Sequence, residues 1–413
     1  MVCLAACGGA GEEPGWLAEP AEPTGSSRGV LPAPLECPPD GVRTPCRLGG
    51  SVEEAGPDGG RGRLPNDAVY PLAAHLTSQR SWVLSAGFMN SYSHNWGPLA
   101  YVSRVPFGPP GPTLVATEQD LRPFHGVFDG TGFALLTGPS SLFRISLGGD
   151  VGGEVPVPDC VGLLWTGAEL GCLQGSARDE IEGAHMLTAE GEPTGRRVVW
   201  SGVGGLASPA ERVAATRGAF GLITVVHAPD MPRGVAPGVI IVDHDGAVLG
   251  RTVLPDWAQP VVLAAGSDSF VVLYALWLES LSYRLSRPDR WAVYVLFLGA
   301  DGRARSAPIL VAEVLLSPLS PLAASVAVGR DDALVVHADT EVAIVEGPRG
   351  SHAQFDRSLK MRSVTPAGDL GPVLEVPVDA NSTRLVRDEC RVGLAWGSRE
   401  YGDIVGVWRG TCE

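Results

Sequence analysis

Short apolar runs separated by polar turns recur along most of this 413-residue chain. One clear copy begins at Phe270–Tyr274, continues at 292–298, turns at Asp301-Gly302 and resumes at 308–311. An earlier copy comprises 221–226, 239–242, the turn Asp245-Gly246, and 253–254. Runs of this length, rich in β-branched and aliphatic residues, predict β-strands. Their repetition predicts a repeat fold in which neighbouring units bury one another.

Tight-turn signals separate the last two strands of each predicted unit. Gly accepts a positive φ and Asp can bond its own backbone, so Asp and Gly pairs favour hairpins. These turns are Gly108-Pro109-Pro110-Gly111, Gly149-Asp150, Gly191-Glu192, Asp245-Gly246, Asp301-Gly302 and Gly368-Asp369. Their early spacing is that of four-stranded blades. The sequence therefore predicts an all-β fold, a β-propeller of about seven blades with six as the alternative.

The final unit is one strand short. It begins near Leu385, offers strands around Trp396 and Trp408, and then reaches the last residue. An open ring would leave backbone donors and acceptors unpaired, so we predict that N-terminal residues supply the missing strand. No long segment carries apolar residues at helical spacing between capping residues.

Composition agrees with many short strands and turns, with 54 Gly, 35 Pro and 45% hydrophobic residues. Residues 8–66 differ from the rest, because they are rich in Gly and Pro and show little aliphatic periodicity. They are predicted to be a flexible tether that precedes a propeller domain at 67–413. No apolar run reaches the roughly 18 residues of a membrane-spanning helix.

The tether follows the sequence Leu4-Ala5-Ala6-Cys7. This pattern resembles the bacterial lipobox, whose cysteine receives diacylglycerol and becomes the new N-terminus. The resemblance implies that 1–7 is the remnant of a lipoprotein signal, that Cys7 is lipidated, and that the protein lies outside the cytoplasm as an outer-membrane, periplasmic or cell-surface lipoprotein. A secretory signal has a basic start and an apolar stretch of about 7–15 residues. Only six residues precede Cys7, so either translation starts upstream or the match is a coincidence.

Six of the eight cysteines fall into neighbouring pairs that bracket plausible turns. The pairs are Cys37 with Cys46, Cys160 with Cys172, and Cys390 with Cys412. Residues equidistant from a hairpin turn face each other, so we predict these three disulfides and an oxidising compartment. The alternatives are buried free thiols and, less favoured, metal binding, since the sequence has no Cys-x-x-Cys motif.

Charge and motifs restrict the chemistry. With 46 acidic and 31 basic residues the net charge is −15, which opposes binding to nucleic acid or to anionic lipid. The sequence contains no zinc-protease helix, Walker A loop or dinucleotide-binding glycine motif, and it predicts no cofactor and no metal site. An enzyme stays possible, because catalytic residues of a propeller can come from several blades.

Candidate binding residues lie in connections between the second and third strands of the units, which vary most in composition. They are Tyr92, His94, Asn95 and Trp96 in a first loop, Tyr283, Arg284, Arg287 and Arg290 in a second, and Tyr401 in a third. The first loop suits a sugar or peptide, and the second could meet an acidic ligand. The alternative is that the arginines pair with acids such as Asp289 on a solvated rim and that Trp96 packs on its blade.

Other conspicuous side chains are interpreted as structural. Aromatic residues at blade positions fill the space between neighbouring sheets. This applies to Trp165, Trp200, Trp396 and Trp408. Histidines within apolar strand segments are predicted to be core residues rather than ligands. These are His125, His185 and His337.

Over residues 67–412, the strand and turn pattern resembles repeat β-propellers of secreted or outer-membrane bacterial lipoproteins. The leading hypothesis is a surface-tethered binding or scaffold propeller that recognises a protein, peptide or glycan without catalysis. We expect a monomer, because the radial core of a propeller buries each sheet on both faces. The opposing hypothesis is a propeller hydrolase or lyase that acts on envelope or extracellular polysaccharide. Such an enzyme would bring two carboxylates from different blades together in the central channel.

Overall fold

The structure is a computed structural model, and it describes residues 36–37, 44–55, 68–78, 80–88, 99–105, 113–117, 125–138, 140–175, 181–200, 213–280, 289–316, 322–347, 350–398 and 405–413. The regular structure of these residues is β-strand throughout, without an α-helix. The strands form seven four-stranded sheets. Each sheet is called a blade below and is numbered by its order in the chain.

The strands follow one another from the axis outward within each blade, apart from β1 (Leu48–Ala55), which joins the last blade. Blade 1 contains β2 (Ala68–Leu76), β3 (Ser81–Phe88), β4 (Leu99–Val105) and β5 (Thr113–Thr117). Blade 2 contains β6 (His125–Phe128), β7 (Phe133–Thr137), β8 (Ser141–Ile145) and β9 (Val151–Pro156). Blade 3 contains β10 (Gly162–Trp165), β11 (Leu170–Gly175), β12 (Ile181–Leu187) and β13 (Pro193–Val199).

The remaining blades repeat this order. Blade 4 contains β14 (Val213–Ala215), β15 (Ala219–His227), β16 (Val235–Asp243) and β17 (Val248–Val253). Blade 5 contains β18 (Gln259–Ala265), β19 (Ser269–Ser280), β20 (Asp289–Gly299) and β21 (Ile309–Leu316). Blade 6 contains β22 (Ala324–Val328), β23 (Ala333–Gly347), β24 (Gly350–Val364) and β25 (Leu374–Val376). Blade 7 contains β26 (Ala380–Asp388), β27 (Arg391–Ser398), β28 (Val405–Cys412) and β1.

The first strands of the seven blades surround an axis. β2 contacts β6 on one side and β26 on the other, and each further inner strand contacts the inner strands of the blades before and after it. Parts of all seven inner strands line one axial cavity. This radial arrangement is that of a β-propeller, so the predicted all-β propeller is confirmed.

Turn chemistry explains where the strands end. Between the first and second strands of three blades, a side-chain oxygen accepts the backbone N–H three residues on, at 3.0 Å. The acceptors are Asp129, Thr166 and Thr216. The glycines of the predicted turns between third and fourth strands take a positive φ at Gly149, Gly191, Gly246, Gly302 and Gly368. The predicted turn at 108–111 lies outside the described residues.

Alternating side chains fill the gaps between blades. In β19, Phe270 packs toward blade 4, whereas Val271 packs toward blade 6. Trp200, Trp396 and Trp408 are buried between blades, as predicted. Trp165 is partly buried against the cluster that joins blades 2 and 3.

An N-terminal strand completes the last blade, as predicted. β1 pairs with β28 along its whole length, from Leu48 opposite Cys412 to Ala55 opposite Val405. This strand lies inside the stretch 8–66 that the sequence assigned to the tether, so the propeller includes Leu48–Ala55 and does not begin at 67. The outermost strand of a blade has little core to contact. The sequence of β1 is Leu-Gly-Gly-Ser-Val-Glu-Glu-Ala, and it therefore lacks the apolar alternation by which a strand is recognised.

Two of the three predicted disulfide pairings were wrong. Cys160 is bonded to Cys172, as predicted. Cys37, however, is bonded to Cys390, and Cys46 to Cys412. The pairing of β1 with β28 brings Cys46 beside Cys412, which a search for local hairpins does not detect. Two covalent bridges therefore tie the N-terminal segment to blade 7.

Two arginines of blade 7 also hold the seam with blade 1. The Arg384 Nη2 donates to the Leu72 carbonyl at 2.6 Å. The Arg409 side chain is buried, and its Nη2 donates to the carbonyls of Thr77 and Ser78, each at 3.2 Å. Charge-assisted bonds to backbone oxygens are stronger than neutral ones, so this seam is held by more than apolar packing.

The third-to-fourth turn of blade 5 packs tightly on blade 4. Thr252 Oγ1 in β17 donates to the Gly302 carbonyl at 2.7 Å. A Cβ on Gly302 would lie 2.8 Å from the Gly250 Cα, which is closer than side chains approach backbone. Only glycine fits at this contact.

Candidate functional site

The two ends of the propeller carry different connections. The 1–2 face is defined by the hairpins between first and second strands, such as 129–132 and 166–169. The 2–3 face is the opposite end. It carries the connections between second and third strands, such as 228–234, and the links between blades, such as 254–258.

The axial cavity has a volume of about 680 Å³. Its lining includes 72–76, 126–128, 163–165, 213–215, 262–265, 325–328 and 384–388. Inner strands have no neighbour on the axis side, so their unpaired backbone N–H and C=O groups face the cavity. The volume lies in the range of small-molecule sites.

Ionisable side chains at the cavity come from blades 1 and 7, and protein groups already engage those of blade 7. Arg387 Nη1 lies 2.5 Å from Asp332 Oδ1, and both side chains are almost fully buried. Burial raises the pKa of Asp332, although the guanidinium opposes this. Asp388 is paired with Arg391. The cavity thus holds no cluster of free charges among its described lining residues.

His75 contributes an aromatic surface to the cavity. Its ring stacks on Phe128 at 4.0 Å between centroids and on Trp82 at 5.7 Å. Burial lowers the pKa of His75, although the charge of Asp388 opposes this shift. The lowered pKa favours the neutral ring that stacks in this group.

Two of the three histidines interpreted as structural are buried in the core. His125 and His337 are 9% and 2% exposed. Burial lowers the pKa of both; for His125 the charge of Arg384 adds to the effect and the pKa falls to about 4. His337 Nδ1 lies 3.3 Å from the Ala338 carbonyl oxygen. His185 is partly buried on β12.

The 2–3 face of blade 5 exposes large apolar side chains. Trp257 is 66% exposed, Trp277 is 53% exposed and Leu278 is 42% exposed. At this end the last paired residues of β18 and β19 are Gln259 and Ala275. Trp257 and Trp277 each lie two residues beyond that pair, at the same end of the blade. We call Trp257, Trp277 and Leu278 the blade 5 rim.

Local contacts hold Trp257 in its exposed position. Its φ is 65°, a left-handed conformation that costs a bulky residue on the order of 1–3 kcal/mol. The Trp257 N–H donates to Asp256 Oδ1 at 3.1 Å. The guanidinium carbon of Arg233 lies 4.3 Å from the centroid of the indole ring. This cation–π contact covers one side of the ring and fixes its orientation.

Arg290 is the one predicted binding residue that the structure describes. Its guanidinium contacts both Glu279 and Glu313, and these bonds raise its pKa. Asp289 instead accepts from Trp277 Nε1 at 3.4 Å. Arg290 therefore pairs with acidic side chains at the solvent-exposed surface, as the alternative interpretation predicted. Its partners are Glu279 and Glu313 rather than Asp289.

The other predicted binding residues lie outside the described residues. They are Tyr92, His94, Asn95, Trp96, Tyr283, Arg284, Arg287 and Tyr401, and Cys7 is also outside. Sequence reasoning missed Trp257 and Trp277, since each adjoins an apolar run and reads as core. The available signal for Trp257 was the Pro255-Asp256 turn before it, whereas the exposure of Trp277 depends on the extension of β19 beyond its partner β18 and left no signal in the sequence.

No three His, Cys, Asp or Glu side chains among the residues that the structure describes converge in a way that could hold a metal ion. In the Asp-rich turn after β16, Asp243 Oδ1 accepts the N–H groups of Asp245 and Ala247, as in an ordinary hairpin. The described residues contain no helix with the length and apolarity needed to cross a bilayer.

No known protein-family model matches the sequence, and no curated protein matches it. Solved structures with similar folds include BamB from Moraxella catarrhalis, with 10% identity, a TM-score of 0.37, and coverage of 88% of this chain and 100% of that chain. The Dos1 propeller shows 9% identity and a TM-score of 0.41, covering 86% and 95%. A gluconolactonase from Xanthomonas campestris shows 14% identity and a TM-score of 0.35, covering 68% and 82%. At such identities the likeness concerns the fold alone.

Proposed function

We propose that the protein is a non-enzymatic binding propeller that recognises a partner protein through the blade 5 rim. The exposure of two indole rings at the same end of one blade carries this proposal. Trp, Tyr and Arg account for much of the binding energy at protein interfaces. The sequence between β19 and β20 also contains the predicted binding residues Tyr283, Arg284 and Arg287.

The rim also meets the energetic requirements of a binding surface. Ordering side chains on association costs free energy, and groups already held in place reduce that cost. Arg233 holds Trp257, and Asp289 accepts from the indole of Trp277. A partner would therefore meet aromatic surfaces whose orientation is set in advance.

We also propose that the protein acts outside the cytoplasm, tethered through a lipid on Cys7. Three disulfides support an oxidising compartment. The Gly- and Pro-rich composition of 8–36 is typical of a tether that follows a lipidated cysteine.

Polysaccharide hydrolysis is the less supported alternative. Glycosidases place two carboxylates about 5–9.5 Å apart in one pocket. Among the described residues that line the axial cavity, Asp388 alone has a carboxylate, and Arg391 engages it.

Site-specific photo-cross-linking tests the proposal. A photoreactive phenylalanine derivative is placed in the full-length chain at Leu278 or, as a matched control, at Leu249. These side chains are 42% and 46% exposed, but Leu249 lies on the outer strand β17. We expect a discrete protein adduct from position 278 in irradiated cells that is absent from position 249 and is diminished by Trp277→Ala. Identical adducts from both positions, or none from 278, would contradict the proposal.

A further inference from the structure

The central hairpin of blade 6 extends beyond the rest of its sheet. β23 and β24 pair from Ala333 opposite Val364 to Gly347 opposite Gly350, with no shift of register. β22 pairs with only five residues of β23, and β25 with only three residues of β24. Residues 339–358 therefore include a two-stranded arm on the 2–3 face, with edges that no other described strand covers. We call this segment the blade 6 arm.

Hydrogen bonds near the base of the arm show which residues of β24 point toward its outer edge. On the side of β25, the Gly371 N–H donates to the Ser363 carbonyl, and the Thr365 N–H donates to the Asp369 carbonyl. On the opposite side of the hairpin, the Ala338 N–H donates to the Ala323 carbonyl. Residues two apart in a strand direct their backbone groups the same way. The N–H and C=O groups of residues 351, 353, 355 and 357 therefore point outward.

This outer edge lacks three of the devices that protect edge strands in natural proteins. They are proline, lysine and a β-bulge. Residues 350–358 contain neither proline nor lysine, and their pairing with β23 has no bulge. The chain itself leaves the edge after Val376, where Pro377 has no N–H to donate.

The base of the arm is fixed on both sides. Asp339 accepts from Lys360 Nζ at 2.7 Å through Oδ2, and from the Leu315 N–H of blade 5 at 3.3 Å through Oδ1. Toward blade 7, Arg357 Nη1 lies 3.3 Å from Asp379 Oδ1. The direction of the edge is therefore set before any partner arrives, which lowers the ordering cost of binding.

We propose that the outer edge of β24 at 351–357 accepts an extended segment of a partner protein as an added β-strand. The outward groups recur at every second residue, and an extended polypeptide offers complementary groups with the same period. These residues span about 20 Å, which corresponds to a ligand of about seven to nine residues. The site goes beyond the proposed function, because it lies on another blade and is formed by backbone rather than by indole rings.

Proline at position 353 tests this site. Ala353→Pro removes one outward N–H and leaves the bonds between β23 and β24, whereas the control Ala353→Val keeps that N–H. Nonapeptides are selected from a phage-displayed library on the full-length protein, and their affinities for the wild type and both variants are measured by fluorescence anisotropy. We expect a loss of about tenfold for Ala353→Pro and little change for Ala353→Val. Bound peptide should also slow amide exchange at 351, 353, 355 and 357.

Three results would overturn the proposal. The first is equal affinity for Ala353→Pro, or no slowing of exchange at the four amides. The second is a wild-type dimer that Ala353→Pro abolishes, because the occupant would then be a second copy of this chain. The third is a loss in Trp277→Ala that matches the loss in Ala353→Pro, because the peptide would then bind the blade 5 rim. If no cross-linked adduct forms at position 278 but peptide still binds the blade 6 arm, only the proposed function is refuted.

Discussion

The two disulfides that join the N-terminal segment to blade 7 are expected to stabilise the ring in a non-additive way. The perturbation is removal of Cys37–Cys390, of Cys46–Cys412, or of both, with alanine at each position. Either bridge alone still joins the two ends of the propeller. Removing one bridge from the wild type should therefore cost less stability than removing the remaining bridge from that variant.

The lengths of the chain loops that the disulfides close give the size of these losses in stability. One bridge alone closes a loop with a sequence separation of 353 or 366 residues. Such a loop restricts the unfolded chain by about 6 kcal/mol in the chain-entropy model. When one bridge is present, the second closes only the loop formed by 37–46 and 390–412, of about 30 residues, and adds about 4 kcal/mol. Removing one bridge should therefore cost about 4 kcal/mol and removing both about 10 kcal/mol, an excess of about 2 kcal/mol over the sum.

Denaturant unfolding under non-reducing conditions measures these losses for all four proteins. Packing losses at the buried cysteines enter the single and combined removals alike, so they cancel in the cycle. A combined loss equal to, or smaller than, the sum of the two separate losses would refute this topology of ring closure.

Three further predictions concern the stability of the blades. Gly302→Ala and Gly368→Ala both put a side chain at positive φ, but the new Cβ meets Gly250 at position 302 and nothing within 4 Å at position 368. In urea unfolding, Gly302→Ala should therefore lower the free energy of unfolding by about 1–3 kcal/mol more than Gly368→Ala does. Equal losses would argue against the tight contact between blades 4 and 5. Trp396→Ala should lower the free energy of unfolding by about 3–5 kcal/mol, because the Trp396 side chain is 2% exposed. Trp257→Ala should change it by less than about 0.5 kcal/mol, because Trp257 is 66% exposed. Similar losses for the two variants would contradict the burial of Trp396 and the exposure of Trp257. Burial lowers the pKa of His125 from 6.5 to about 4, so the unfolded chain binds a proton over that interval and the folded chain does not. The free energy of unfolding should fall by up to about 3 kcal/mol as the pH drops from 6.5 to 4. In His125→Phe it should fall less steeply. Identical pH profiles for the two proteins would show that His125 does not cause the loss of stability at low pH.

Much of the fold was predictable because each blade repeats local signals. Turns such as Asp301-Gly302 require glycine at positive φ, and apolar runs such as 270–274 mark the strands at the centre of a blade. The need to pair the edge of blade 7 also predicted a closing strand from the N-terminus. These inferences use turn chemistry and the cost of unpaired backbone, both of which can be read from a single sequence.

Features that depend on distant pairing were not predictable in the same way. Cys46 meets Cys412 only because β1 aligns with β28, and no local pattern links residues so far apart. The exposure of Trp277 depends on the extension of β19 beyond β18. Arg290 contacts Glu313 because β20 and β21 are paired, which sequence spacing alone does not reveal.

Hydrogen exchange tests most directly whether the 2–3 face of blade 5 binds a partner protein. Exchange is measured on the purified full-length protein with and without the partner identified through position 278. Slower exchange at 255–280 and at the start of β20, with no change in the inner strands β2 and β10, is the predicted result. Slower exchange confined to the inner strands around the axial cavity, or none in blade 5, would contradict it.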